Sequence, residues 1–253
     1  MSAFLASSMA GAQFLSKLFS VPGFTLQYII PDWMHTVCLG VLQYLMGNVM
    51  WELFVHIGGV WSNPAKACAA LFNIMVLVAQ DLGVERPFSS LVVTMIRPAQ
   101  GKSGLGKRPR MRLKAAQGRN FLPILTIILQ RFFPCAGGRE ELRLRCCQAM
   151  CRCYMELKRW TDESPRRLEL AARQCLLLYV QLGDMEEEGS RMWHVYPKHH
   201  MFAHVANVEY NPALVWNYGD EDEIGRAVKQ ARRCNPKWLH QSVIERYRIT
   251  GAP

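Results

Sequence analysis

Asp32 and His35 stand three residues apart in Pro31-Asp32-Trp33-Met34-His35, where a β-like run over 24–30 gives way to a long apolar helical pattern. At that spacing an acid and an imidazole can face one small volume, which is what acid–base or metal chemistry requires. The same aspartate also fits an ordinary N-cap, its carboxylate accepting the first free backbone N–H groups of the helix. Two further groups bear chemistry. His200 and His204, in Pro197-Lys198-His199-His200-Met201-Phe202-Ala203-His204, share a helical face at a spacing used for zinc, but no glutamate of the zinc-protease kind accompanies them. The bland reading is a structural or solvent-facing pair. Asp220-Glu221-Asp222-Glu223 opens a helical pattern that turns basic at Arg226, Lys229, Arg232, Arg233 and Lys237. Acids in a first turn compensate the helix dipole, and one of them can equally serve a hard divalent ion.

The nine cysteines are odd in number and scattered through apolar helical patterns. Cys146, Cys147, Cys151 and Cys153 have helical spacing, without a CxxC pair of the zinc-ribbon type, so packing in a reducing compartment is the reading and no disulfide-linked partner is expected. No phosphate loop, GxGxxG or GxSxG elbow occurs, which removes the commonest nucleotide-binding and hydrolase classes.

Thirty Lys and Arg against twenty Asp and Glu leave a net charge of +10 over 253 residues, half of them apolar. Such a chain buries a proper core and favours phosphate-rich partners or anionic surfaces. Met1 to Phe19 lacks the basic n-region of a signal peptide, so the chain is not expected to be secreted. The stretch 37–57 is long enough to span a bilayer, yet Asn48, Glu52 and His56 recur every four residues as a polar stripe, which suits a soluble amphipathic helix better; membrane association is the weaker alternative.

These groups need elements to position them. The pattern predicts a helix over 33–57 with a turn at Gly58-Gly59, a second over 64–82 ended by Gly83, and an ambiguous segment over 88–96. Residues 97–119 carry eight cations, no acid and four glycines, and read as a solvated basic loop. Helices follow over 121–133, 139–161 and 165–182, the last with Ser164 as cap and Pro165 at its first position. An exposed acidic stretch at 184–188, a helical segment over 197–206 and a closing helix over 220–234 complete a mainly α chain.

In order and spacing the motifs resemble the catalytic-domain end of eukaryotic DNA transposases of the CACTA-like group, from about residue 24 to 240. The matching stretches are Pro31-Asp32-Trp33-Met34-His35 with its helix, Leu113-Lys114-Ala115-Ala116-Gln117-Gly118-Arg119, Pro197 to His200 with His204, and Trp216-Asn217-Tyr218 running into Glu221. The resemblance implies a helical bundle-like insertion attached to the C-terminal remnant of a ribonuclease-H-like α/β domain. Its divisions are a poorly ordered N-terminal segment over 1–23, strand and helix of a partial core over 24–57, a helical insertion with its basic loop over 58–192, and C-terminal core helices over 193–253. It implies Glu221 as the catalytic glutamate, Asp32 and His35 beside it, and Mg or Mn held by Glu221 and Asp32 for DNA strand transfer. The family's first aspartates would lie upstream of Asp32, and the 31 residues before it contain no acid. The chain is therefore expected to be a fragment or decayed copy, inactive alone. The alternative is a non-enzymatic protein of the nucleus or cytoplasm that binds DNA, with little sequence specificity, through Lys107, Arg108, Arg110, Arg112, Lys114, Arg119, Lys198, Arg226, Lys229, Arg232 and Arg233.

Overall fold

The computed structural model describes residues 32–60, 63–97, 108–133, 137–190 and 192–216. The β-like run over 24–30, Lys107, Glu221 and the basic helix over 220–234 lie outside them.

A π-wound stretch, Met34–Val41, continues without a break into α1, Leu42–Val60. Then come α2 (Pro64–Asp81), the single turn α3 (Val93–Ile96), α4 (Ala115–Phe132), α5 (Arg139–Lys158), α6 (Ser164–Asp184), α7 (Pro197–Ala206) and a 3₁₀ turn at Pro212–Leu214. No described residue lies in a strand, so the mainly α class holds. Gly58 and Gly59 fall inside α1 instead of forming the predicted turn.

Local chemistry starts these helices. Asn63 accepts the Ala65 N–H at 2.8 Å and Pro64 occupies the first position of α2, where its missing donor costs nothing. Ser164 differs from expectation. Its hydroxyl is fully buried, accepts the Thr161 N–H at 2.9 Å and donates to Glu156, so it ties the α5–α6 turn together while Glu163 occupies the cap position.

The first helix is the core of the fold. Trp33, Met34, Val37, Cys38, Leu42, Leu45, Met46 and Val49 are all completely buried. Met34–Ile57 is long and apolar enough to cross a membrane by length and composition, but 78% of its most apolar window is buried inside the protein. Of its polar stripe, Asn48 is buried and Glu52 mostly so, whereas His56 is exposed. Asn48 donates to the Tyr179 hydroxyl at 3.0 Å, and Glu52 accepts from Arg139 (2.6 Å), Arg143 (2.9 Å) and the Trp193 indole (2.6 Å). Arg139 also pairs with Glu186, which takes that residue out of the exposed acidic stretch expected at 184–188. Asn48 and Glu52 thus join α1 to α5, α6 and the 184–193 connection, and the largely buried charges at Glu52 are paired and hydrogen-bonded, as burial demands.

α5 and α6 form the most extensive helix pair. Cys146, Cys147, Cys153 and Cys175 fill their interface, with the Cys146 and Cys175 sulfurs 3.8 Å apart. Burial pushes the thiols of Cys146, Cys147 and Cys153 well above the usual range, in Cys146 with the hydrogen-bonded Cys175 as the largest cause. All seven described cysteines are free, and they behave as small apolar fillers.

Candidate nucleic-acid interface

The basic segment differs most from expectation. Residues 108–114 are an extended strap across the first helix, and helix α4 begins at Ala115, six residues before the predicted Phe121. Along the strap Pro109, Met111 and Leu113 are buried, while Arg112 and Lys114 are exposed. This period of two belongs to an extended chain packed on one side. The strap has no strand partner, so its backbone bonds elsewhere: Met111 N–H to the Gln43 carbonyl (2.8 Å), Arg110 N–H to Ile96 (2.9 Å) and Arg112 N–H to Met95 (2.8 Å). Gln43 returns a bond from its side chain to the Leu113 carbonyl at 2.7 Å. Gln117 then accepts the Lys114 N–H and starts α4, and Gly118 packs against Met46. Gly118 marks a close helix crossing and not a loop.

Two glycines of the first helix make the crossing possible. A Cβ on Gly47 would come within 2.5 Å of the Arg110 backbone N and Cα, and one on Gly40 within 2.5 Å of the Lys198 side chain. Seven residues apart, they share a face with Leu39, Gln43 and Tyr44. On that face two carbonyls of the π-wound stretch, one turn apart, accept cations from other elements: His35 from Lys198 Nζ (2.7 Å) and Leu39 from Arg110 Nη2 (3.1 Å).

Aromatic rings hold the guanidinium groups. Tyr44 and Tyr196 stack at 4.2 Å between centroids, Arg110 lies over Tyr44 at 5.3 Å, and Arg108 over Tyr196 at 5.3 Å. Arg108 also donates to the Tyr196 hydroxyl at 3.1 Å, and Arg110 Nε to Gln43 at 2.8 Å. Cation–π contacts of this kind place a guanidinium without neutralising it. Among the described residues, no carboxylate lies within ion-pairing distance of Arg108, Arg110, Arg112, Lys114 or Lys198. Burial, then the charge of Arg110, holds the Lys198 ammonium below its ordinary pKa.

Behind this surface sits His199, 2% exposed. Its Nδ1 accepts the Tyr196 N–H at 3.1 Å and its ring lies 4.5 Å from Tyr179. Burial lowers its pKa to about 4, so it is neutral at pH 7 and fixes the turn that presents Tyr196 and Lys198.

The predicted chemical pairs form as pairs. Asp32 Oδ2 accepts both the His35 backbone N–H and the His35 imidazole, each at 2.7 Å. The carboxylate therefore caps the first turn and orients the imidazole at once. His200 and His204 point the same way, their Nε2 atoms 3.0 Å apart on the exposed side of α7. Among the described residues, no three His, Cys, Asp or Glu side chains converge as a metal-binding group. Glu221, Arg226, Lys229, Arg232 and Arg233 lie outside the described residues.

Trp216 and Arg119 meet elsewhere. The guanidinium lies 5.5 Å over the Trp216 ring, at the edge of a largely apolar groove of about 850 Å³ between α4 and α5. Sequence reasoning missed Tyr44, Gln43 and Tyr196 as positioning groups. Gly40 and Gly47, spaced for one face of an otherwise apolar helix, were the available signal. No protein-family model, curated protein or solved structure matches the chain.

Proposed function

We propose that this chain is a helical nucleic-acid-binding protein of transposase-like descent, which grips phosphates through the strap over 108–114 and the start of α7. The observation that carries the proposal is the strap itself. Its apolar residues are spent on the core, its cations remain on the outside or against tyrosine rings, and no described carboxylate pairs with them. A basic surface held rigid and unneutralised suits the phosphate backbone, which repeats its charge regardless of sequence. The partner in this reading is DNA, bound with little sequence specificity, in the nucleus or cytoplasm.

Salt titration of binding to a duplex oligonucleotide tests it. Each phosphate neutralised contributes about −0.9 to the log–log slope, so Arg112→Ala with Lys114→Ala should flatten the slope by about 2. No binding at low salt, or a slope unchanged in the double variant, would remove the proposal.

The descent carries a separate expectation. In transposases of this kind Mg or Mn would be held by Glu221 and Asp32 and would activate water or a 3′-hydroxyl. Asp32 supports the resemblance as an acid fixed beside an imidazole, though one of its oxygens already serves the cap. Plasmid nicking in Mg or Mn that Glu221→Ala abolishes would demonstrate retained catalysis; absence of nicking agrees with a chain that is inactive alone.

A further inference from the structure

We infer that Arg108, Arg110 and Lys198 form one discrete site for a phosphate dianion, a phosphomonoester such as the end of a phosphorylated strand, distinct from the exposed cations of the strap. The three converge because their supports are neighbours. Lys198 runs over Gly40 to the His35 carbonyl, Arg110 reaches the Leu39 carbonyl one turn on, and Arg108 is pinned to Tyr196, two residues before Lys198. All three are half-buried, and no described carboxylate balances them. The Tyr44–Tyr196 stack holds both guanidinium groups before any ligand arrives, so little side-chain entropy is lost on binding. Arg108, held through Nη1, keeps its Nε–Nη2 edge for phosphate oxygens, Arg110, whose Nε and Nη2 serve Gln43 and Leu39, offers Nη1, and Lys198 adds a point charge. Three positive charges drawn partly out of water exceed what one diester charge can neutralise. A monoester, with a second pKa near 6, carries close to two at pH 7.

The first test needs no nucleic acid. Inorganic phosphate titrated into the untagged chain, at ionic strength matched with chloride, should show saturable ³¹P line broadening. Lys198→Met, which keeps the stem over Gly40, and Arg108→Gln should each weaken it about tenfold, as expected for loss of one charge-assisted contact. Absence of broadening, or broadening unchanged in both variants, overturns the site.

The second test, which alone rests on the nucleic-acid reading, compares a single-stranded oligonucleotide with a 5′-phosphate against the same strand ending in hydroxyl. The phosphorylated strand should bind at least about threefold tighter, and both variants should erase the difference. Equal affinity for the two strands overturns the assignment to strand ends. Failure of either strand to bind, with phosphate still bound, would refute the nucleic-acid reading and leave the anion site standing.

Discussion

Gly47→Ala sets two opposing effects of known size against each other. In a free helix the substitution stabilises by about 1 kcal/mol, since alanine loses less backbone entropy than glycine. Here the new Cβ would stand 2.5 Å from the Arg110 N and Cα and 2.7 Å from the Pro109 carbonyl carbon. These are backbone atoms, so no rotamer change relieves the overlap and the strap must lift. Lifting it stretches the Met111–Gln43, Gln43–Leu113 and Arg110–Gln43 hydrogen bonds, now 2.7–2.8 Å. At about 1 kcal/mol each they contribute about 3 kcal/mol. Partial exposure of Met111, now fully buried, adds about 1 kcal/mol. Less the helix-propensity gain, the net loss is about 3 kcal/mol. Urea unfolding followed by circular dichroism reads it as a midpoint lower by about 1 M for a slope of 2–3 kcal/mol per M. Gly59→Ala is the control: nothing lies within 4 Å of its added Cβ, and it should be neutral or stabilising by up to about 1 kcal/mol. A Gly47→Ala protein as stable as the parent would refute the close crossing and the placement of every cation that depends on it.

Three other perturbations test the framework. Glu52→Ala leaves Arg143 and the Trp193 indole buried without their acceptor and should cost about 3–5 kcal/mol by chemical denaturation; a loss below about 1 kcal/mol would mean that the charges are solvated. His199 is neutral in the fold down to about pH 4, whereas the unfolded chain takes up the proton near 6.5. Stability should therefore be complete above 6.5 and fall by on the order of 3 kcal/mol as pH drops from there to 4. His199→Gln should remove that part of the slope, and a slope unchanged by the substitution would count against burial. Asp32→Ala should cost about 1 kcal/mol in thermal unfolding, and Asp32→Asn only a few tenths, because asparagine caps as well as aspartate; equal losses would show that the charge toward His35 matters more than the cap.

The helices were legible where periodicity and punctuation agree. Asn63-Pro64 announces α2, Pro197 opens α7, and the helically spaced cysteines of α5 are packing residues, Cys146 against Cys175 of α6 and Cys151 against Thr126 of α4. The strap was not legible, because eight cations and four glycines in 97–119 carry the composition of a solvated loop. Only the alternation of Pro109, Met111 and Leu113 with charged residues marks a half-buried extended segment, and its partner is a helix face, which no local pattern records. The polar stripe of Asn48, Glu52 and His56 misled in part. His56 is exposed, as an amphipathic face requires, but Arg139, Arg143, Trp193 and Tyr179 reach Asn48 and Glu52 from 87 to 141 residues away and cover them. Of the candidate site, Asp32–His35 and His200–His204 were visible as pairs because helical spacing defines them. The Arg108–Arg110–Lys198 grouping depends on tertiary contacts across Gly40 and Gly47.

The central claim is that an ordered, unneutralised basic strap binds phosphates. Its most direct test is the affinity of the full chain for a duplex oligonucleotide as a function of salt, measured for the parent and for Arg112→Ala with Lys114→Ala. The parent should show a steep linear fall of log K with log salt, and the variant a slope shallower by about 2. A salt-independent affinity, or identical slopes for the two proteins, would contradict it.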